Sequence, residues 1–121
     1  MGLAQLHIAA CSRSSNFIAA GDESTQAGGT RKTECVIAVT LDFLLQHFPA
    51  PQVLKIDVEG MENRVLAGGA RLLEHAKPRI WCEVSTKNSK HVTQLLRDEN
   101  YTLFDATPDT GGPRLKRPGT P

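Results

Sequence analysis

The apolar positions at the two ends of the chain follow different periods. Along residues 3–10, LAQLHIAA, apolar side chains recur with partial alternation at Leu6, Ile8 and Ala10, a period that predicts a strand. Residues 21–34, GDESTQAGGTRKTE, hold almost no large apolar side chain and contain a Gly-Gly pair, so a solvated loop is expected there. The CVIAV run at 35–39 is rich in β-branched residues and predicts a second strand. Thr40 then stands where an N-cap is needed. Leu41, Leu44, Leu45 and Phe48 fall on one face of a helix that Pro49 stops.

The centre of the chain carries a denser pattern. Residues 53–58, VLKIDV, form a compact apolar run after Pro49 and Pro51 and end at Glu59-Gly60, which predicts a buried strand with carboxylates at its C-terminal edge. Met61, Val65, Leu66, Leu72 and Leu73 keep helical spacing to about His75, with Glu62 near the positive end of the helix dipole. Residues 79–84, RIWCEV, predict another strand with Glu83 near its end. Val92, Leu95 and Leu96 mark a further amphipathic helix, Asn100 can adopt the left-handed conformation that ends it, and residues 101–104 predict a last strand. Strand and helix alternating in this way predict parallel βαβ units, an α/β fold with helices covering a mostly parallel sheet. The domain is expected to span residues 1–105, and the Pro- and Gly-rich tail at 106–121, with its Arg114, Lys116 and Arg117, to be disordered.

Composition narrows the function classes. A chain of 121 residues with 40% hydrophobic and 22% charged residues and a net charge of +1 is one ordinary soluble domain, with no electrostatic call for nucleic acid. Cys11, Cys35 and Cys82 are odd in number and lack a CxxC pair, so buried reduced thiols in a cytoplasmic setting are expected rather than disulfides or zinc. His7, His47, His75 and His91 show no metal-ligand spacing, so no metal is expected. No signal peptide and no membrane partner are expected, because no apolar stretch approaches the roughly 18 residues a span needs.

Ligands of open parallel sheets bind beyond the carboxyl ends of the strands, and Asp57, Glu59 and Glu83 fall at such ends. On an extended segment Asp57 and Glu59 would point the same way and could together orient a hydroxyl, accept its proton or meet a cationic ligand. The bland alternative is that Glu59 caps the following helix while Asp57 pairs with a lysine. Lys55 is better read as half of such an ion pair. There is no Gly-x-Ser-x-Gly elbow, no P-loop and no GxGxxG; Gly28-Gly29 lies in a polar loop, and Gly68-Gly69, inside the helical pattern, is expected to permit close packing against the sheet.

The string VLKIDVEGMENRVLAGGARLLEHAKPRIWCEV resembles the core of the FkbM methyltransferases. The elements that carry the resemblance are residues 54–60, Glu62, residues 65–68, Pro78 and Glu83, flanked by Thr40-Leu41-Asp42, by residues 6–11 and by Tyr101 with Phe104, with Asn100 where the family usually has Gly. The resemblance covers about residues 3–105. It implies a Rossmann-like class I fold that transfers a methyl group from S-adenosylmethionine to an oxygen of a small molecule or sugar. Asp57 would then lie near the methyl, Glu59 would place the acceptor or its proton, and Glu83 would line the far wall. The first two strands of that fold, with the Gly-rich turn that holds the cofactor, have no counterpart here, so no cofactor-binding residue can be named. On this reading residues 3–10 lack a strand partner and residues 53–58 expose an apolar edge. Met1-Gly2-Leu3 stands almost directly before a strand, as an internal start would. Three readings follow: a truncated, inactive O-methyltransferase; a non-catalytic interaction module that pairs through its exposed sheet edge with another chain or with a second copy of itself; and an enzyme completed by a separate chain.

Overall fold

A computed structural model of the chain describes residues 1–9, 17–18, 30–106 and 114–115. Among the described residues, seven strands and three α-helices run in the order β1 (Gly2–Ala9), β2 (Phe17–Ile18), β3 (Thr30–Ala38), α1 (Leu41–Leu44), β4 (Val53–Ile56), α2 (Glu62–Ala67), β5 (Arg79–Cys82), α3 (Ser89–Asp98), β6 (Phe104–Asp105) and β7 (Arg114–Leu115). A π-helical turn at Leu72–Ala76 precedes β5 and a 3-10 turn at Thr86–Asn88 precedes α3. The class is α/β, with helices beside small sheets.

The expectation of a mostly parallel sheet is corrected. Among the described residues only β4 and β5 run parallel; β1 lies antiparallel between β2 and β3, and β6 pairs antiparallel with β7. Nor does the first strand lack a partner, because β3 runs against it from Gly2↔Ala38 to Ile8↔Lys32 before the register shifts at Ala9. That pairing draws residues 30–34 out of the expected loop and into β3. Lys32 and Thr33, both exposed, are tolerated there because an antiparallel strand can leave a face in water. Within the tail, Arg114–Leu115 form β7, while Lys116 and Arg117 lie outside the described residues.

The helices are shorter than their patterns. Thr40 caps α1 as expected, its Oγ1 accepting from Phe43 N at 3.1 Å, but regular helix stops at Leu44 and residues 45–48 turn toward Pro49. The single helix expected from Met61 to His75 is two pieces. Gly68 and Gly69 do allow close packing, though against Thr40 and Leu41: a Cβ on Gly69 would stand 2.9 Å from Leu41 Cδ1. Asp42 N donates to Gly68 O at 3.0 Å, and the Asp42 carboxylate accepts from Arg71 N at 3.0 Å and Leu72 N at 3.1 Å. The start of the second piece is thus held from 30 positions earlier in the chain. Lys77, left-handed at φ 50, closes the π turn through its N–H to Leu72 O.

The core sits on one face of the β4–β5 pair. Ile56, Leu66, Leu73, Val92 and Leu96 are buried, with Leu54, Val58, Ile80 and Cys82 packed against them. Alternation explains the face: Leu54 and Ile56 turn inward, while Val53 and Lys55 stay exposed. α3 offers Val92 and Leu96 one turn apart and ends as its sequence predicts, with Asn100 at φ 60. Asn100 N bonds Arg97 O at 2.8 Å and Tyr101 N bonds Leu96 O at 2.9 Å, the pair of reverse bonds that terminates a helix at a left-handed residue. The last strand is Phe104–Asp105 rather than residues 101–104.

Candidate functional site

β4 and β5 pair in register from Val53↔Arg79 to Ile56↔Cys82, so their carboxyl ends lie side by side. Glu83 N extends the ladder by donating to Ile56 O at 3.0 Å, which sets the backbone of Glu83 next to the residue before Asp57. Asp57 and Glu83 therefore reach one sheet edge, and both are exposed. Glu59 does not follow in the same extended line. β4 ends at Ile56 and Glu59 is left-handed at φ 48, so the alternation that would align it with Asp57 is lost before it.

Lys55 Nζ lies 3.2 Å from Asp57 Oδ2, with side-chain exposures of 63% and 41%. The ion pair considered for both residues is present, and in water it holds little energy, on the order of 0–1 kcal/mol. The N-cap of α2 is Met61, which makes no side-chain cap bond, and the turn before it is held by Glu62, whose Oε1 accepts from Gly60 N at 2.7 Å.

Glu62 is the most deeply buried polar group at this edge, with only 1% of it exposed. Its Oε2 accepts from Asn88 Nδ2 at 2.7 Å and from Ser85 Oγ at 3.1 Å. Asn88, itself buried, also donates to Gly60 O at 2.7 Å. Gly60 sits at φ 94, a conformation closed to most side chains, and both its N–H and its carbonyl are occupied by this network. The turn after β4 is thereby fastened to the turn after β5. Burial by itself would raise the Glu62 pKa, but hydrogen bonds from Asn88, from the backbone of Gly60 and Glu62 and from Ser85 outweigh it and hold the carboxyl below its ordinary value. A buried carboxylate held by these donors is a fixed brace, and the exposed acids Asp57, Glu59 and Glu83 are carried on the turns it braces.

The sequence pattern placed Glu62 at a helix start but showed nothing of Ser85 or Asn88. The signal available was Asn88 directly before the apolar period of α3, where a cap residue belongs. The cysteines divide: Cys35 is exposed on β3, against expectation, Cys82 is half-buried, and Cys11 lies outside the described residues. Burial pushes the Cys82 thiol up to about 11, with the charges of Glu62 and Glu83 adding to the effect, so it is no nucleophile. His47, His75 and His91 are exposed and His7 is half-buried. Among the described residues no three His, Cys, Asp or Glu side chains group as a metal site, and no helix is long and apolar enough to cross a membrane.

Residues 2–103 match the family model described as the methyltransferase FkbM domain. No curated protein and no solved structure matches the chain.

Proposed function

The chain belongs to the FkbM methyltransferase domain family, and on that premise we propose that it serves O-methylation of a small molecule or sugar with S-adenosylmethionine as methyl donor. The observation that carries this reading is the parallel pair whose two ends bring Asp57 and Glu83 to one edge, with Glu59 on the adjoining turn. The charge at this edge suits the donor, since exposed carboxylates complement a sulfonium and an ammonium group. When bound, S-adenosylmethionine supplies an electrophilic methyl group. Asp57 orients the acceptor hydroxyl and takes its proton, Glu59 positions the acceptor and Glu83 lines the opposite wall. Glu62 acts through its bonds to Gly60, Ser85 and Asn88, keeping these turns in place without touching the reactants.

A cofactor cradle needs more than charge. The sequence holds no Gly-x-Gly-x-x-Gly motif, and on the proposed reading the cofactor cradle is completed by strands other than those described. Titrating S-adenosylmethionine into the isolated chain accordingly releases no binding heat; submillimolar binding would show that these residues already form the cradle. In a complete homologue, replacing the acid that corresponds to Asp57 by Ala abolishes transfer of labelled methyl to hydroxyl acceptors and leaves the circular dichroism unchanged. Undiminished turnover would remove Asp57 from the reaction.

A further inference from the structure

We propose that Asn88 is a positioning residue that holds Glu59 in its left-handed conformation, a role that rests on the reading of Glu59 as the acid that places the acceptor. The turn after β4 runs from Val58 to Met61 and is closed by Met61 N donating to Val58 O at 3.3 Å. Its two central residues, Glu59 at φ 48 and Gly60 at φ 94, both have positive φ. Turns of this kind favour Gly, Asn and Asp at these positions. Glutamate has neither the freedom of glycine nor the short polar side chain that eases Asn and Asp into this region. A Cβ on Gly60 would meet nothing within 4 Å, so backbone conformation, not crowding, calls for glycine there. A strained residue such as Glu59 persists where its surroundings over-determine it.

Those surroundings come from the turn after β5. Asn88, 8% exposed, donates through Nδ2 to Gly60 O and to Glu62 Oε2, both at 2.7 Å, and Glu62 Oε1 accepts from Gly60 N at 2.7 Å. Gly60 is thus gripped directly at its carbonyl and, through Glu62, at its N–H. Asn88 stands directly before α3 yet makes no cap bond to that helix. Ser85, before the 3-10 turn, makes none either and donates to Glu62 Oε2 at 3.1 Å. A cap bond would stabilise the helix start, so the two side chains best placed to supply it are committed to the β4 turn instead. Asp57 and Glu83 need no such support. Ile56 pairs with Cys82 and Glu83 N bonds Ile56 O, so the ladder of β4 and β5 sets their backbone. Two separate devices therefore hold the three acids: the ladder holds Asp57 and Glu83, and Asn88 holds Glu59.

Amide hydrogen exchange of the full chain, read by NMR, tests this. Asn88→Ala speeds exchange at Gly60 and Met61 by roughly tenfold or more, while Glu83, bonded to Ile56 O, changes by less than about twofold. The discriminating variant is Glu59→Asn, because Asn accepts left-handed backbone and the turn then no longer depends on Asn88. In N88A/E59N the slow exchange at Met61 returns, although nothing has been restored at position 88. An Asn88 that merely filled space in the core could not be rescued from position 59. If N88A alone does not fold, circular dichroism of N88A/E59N decides: a folded double variant supports the role of Asn88, and an unfolded one rejects it. Unchanged exchange at Gly60 and Met61 in N88A, equal acceleration at Gly60, Met61 and Glu83, or fast exchange that persists in the double variant would overturn the proposal. No S-adenosylmethionine enters these measurements, so their failure is distinct from a failure of the methyl-transfer reading, which the Asp57 substitution tests.

Discussion

The β1–β3 hairpin and the β4–α3 segment are held by different forces. Every buried residue among those described lies between Ile56 and Leu96, and none lies in β1, β3 or α1. The hairpin relies on its ladder of backbone hydrogen bonds, and on its open face Leu3 stands opposite Ile37 with exposures of 77% and 72%. The β4–α3 segment relies on apolar burial and a braced carboxylate. What this teaches is that one family match, spanning residues 2–103, covers two regions held together in different ways, and that burial is concentrated in the second of them.

The contrast can be attacked most strongly at Leu66, which has 0% exposure. Leu66→Ala lowers the unfolding free energy by about 2–5 kcal/mol in urea denaturation, because a buried cavity costs more than the lost transfer energy alone. A loss below about 1 kcal/mol would mean that the core is not the main source of stability.

Glu62→Ala comes next, at about 2–3 kcal/mol, since it strips a charged acceptor from Gly60, Ser85 and Asn88 and leaves buried donors without partners. Its folded pKa is depressed below the ordinary 4.5, so the stability it contributes is in place above that value and is lost as pH falls through the lower folded value. Acid unfolding followed by circular dichroism therefore has a steeper limb below about 4.5 in the native chain than in Glu62→Gln. Identical limbs would mean that the brace is not ionised.

A smaller effect is expected at Asp42, whose carboxylate ties α1 to the backbone of Arg71 and Leu72. Asp42→Ala costs about 1–2 kcal/mol by the same denaturation assay. Leu3→Ala is the weakest, within about 0.5 kcal/mol, because the side chain is already in water. If Leu3→Ala were as damaging as Leu66→Ala, the hairpin would carry a core of its own.

Much of the central segment could be read without coordinates. β4, β5 and α3, the Thr40 cap, the left-handed Asn100 and the Lys55–Asp57 pair all follow from periods or contacts only a few residues long. Readings that needed partners distant in sequence failed. Nothing local says that β1 should meet β3, and nothing local says that Gly68-Gly69 should split a helix because Leu41 crosses it. The acids of the candidate site were visible as strand-end residues, whereas the brace that fixes their turns depends on Ser85 and Asn88, 23 and 26 positions beyond Glu62.

The sequence by itself determined the α/β class, the family and the placement of Asp57, Glu59 and Glu83 near strand ends, because hydrophobic period and turn chemistry act over a few neighbouring residues. Tertiary structure decided that Glu62 is buried as a charged brace, that β1 lies against β3, and which edge of β4 faces away from β5. Those outcomes depend on which groups meet across loops, and a linear pattern carries no term for that.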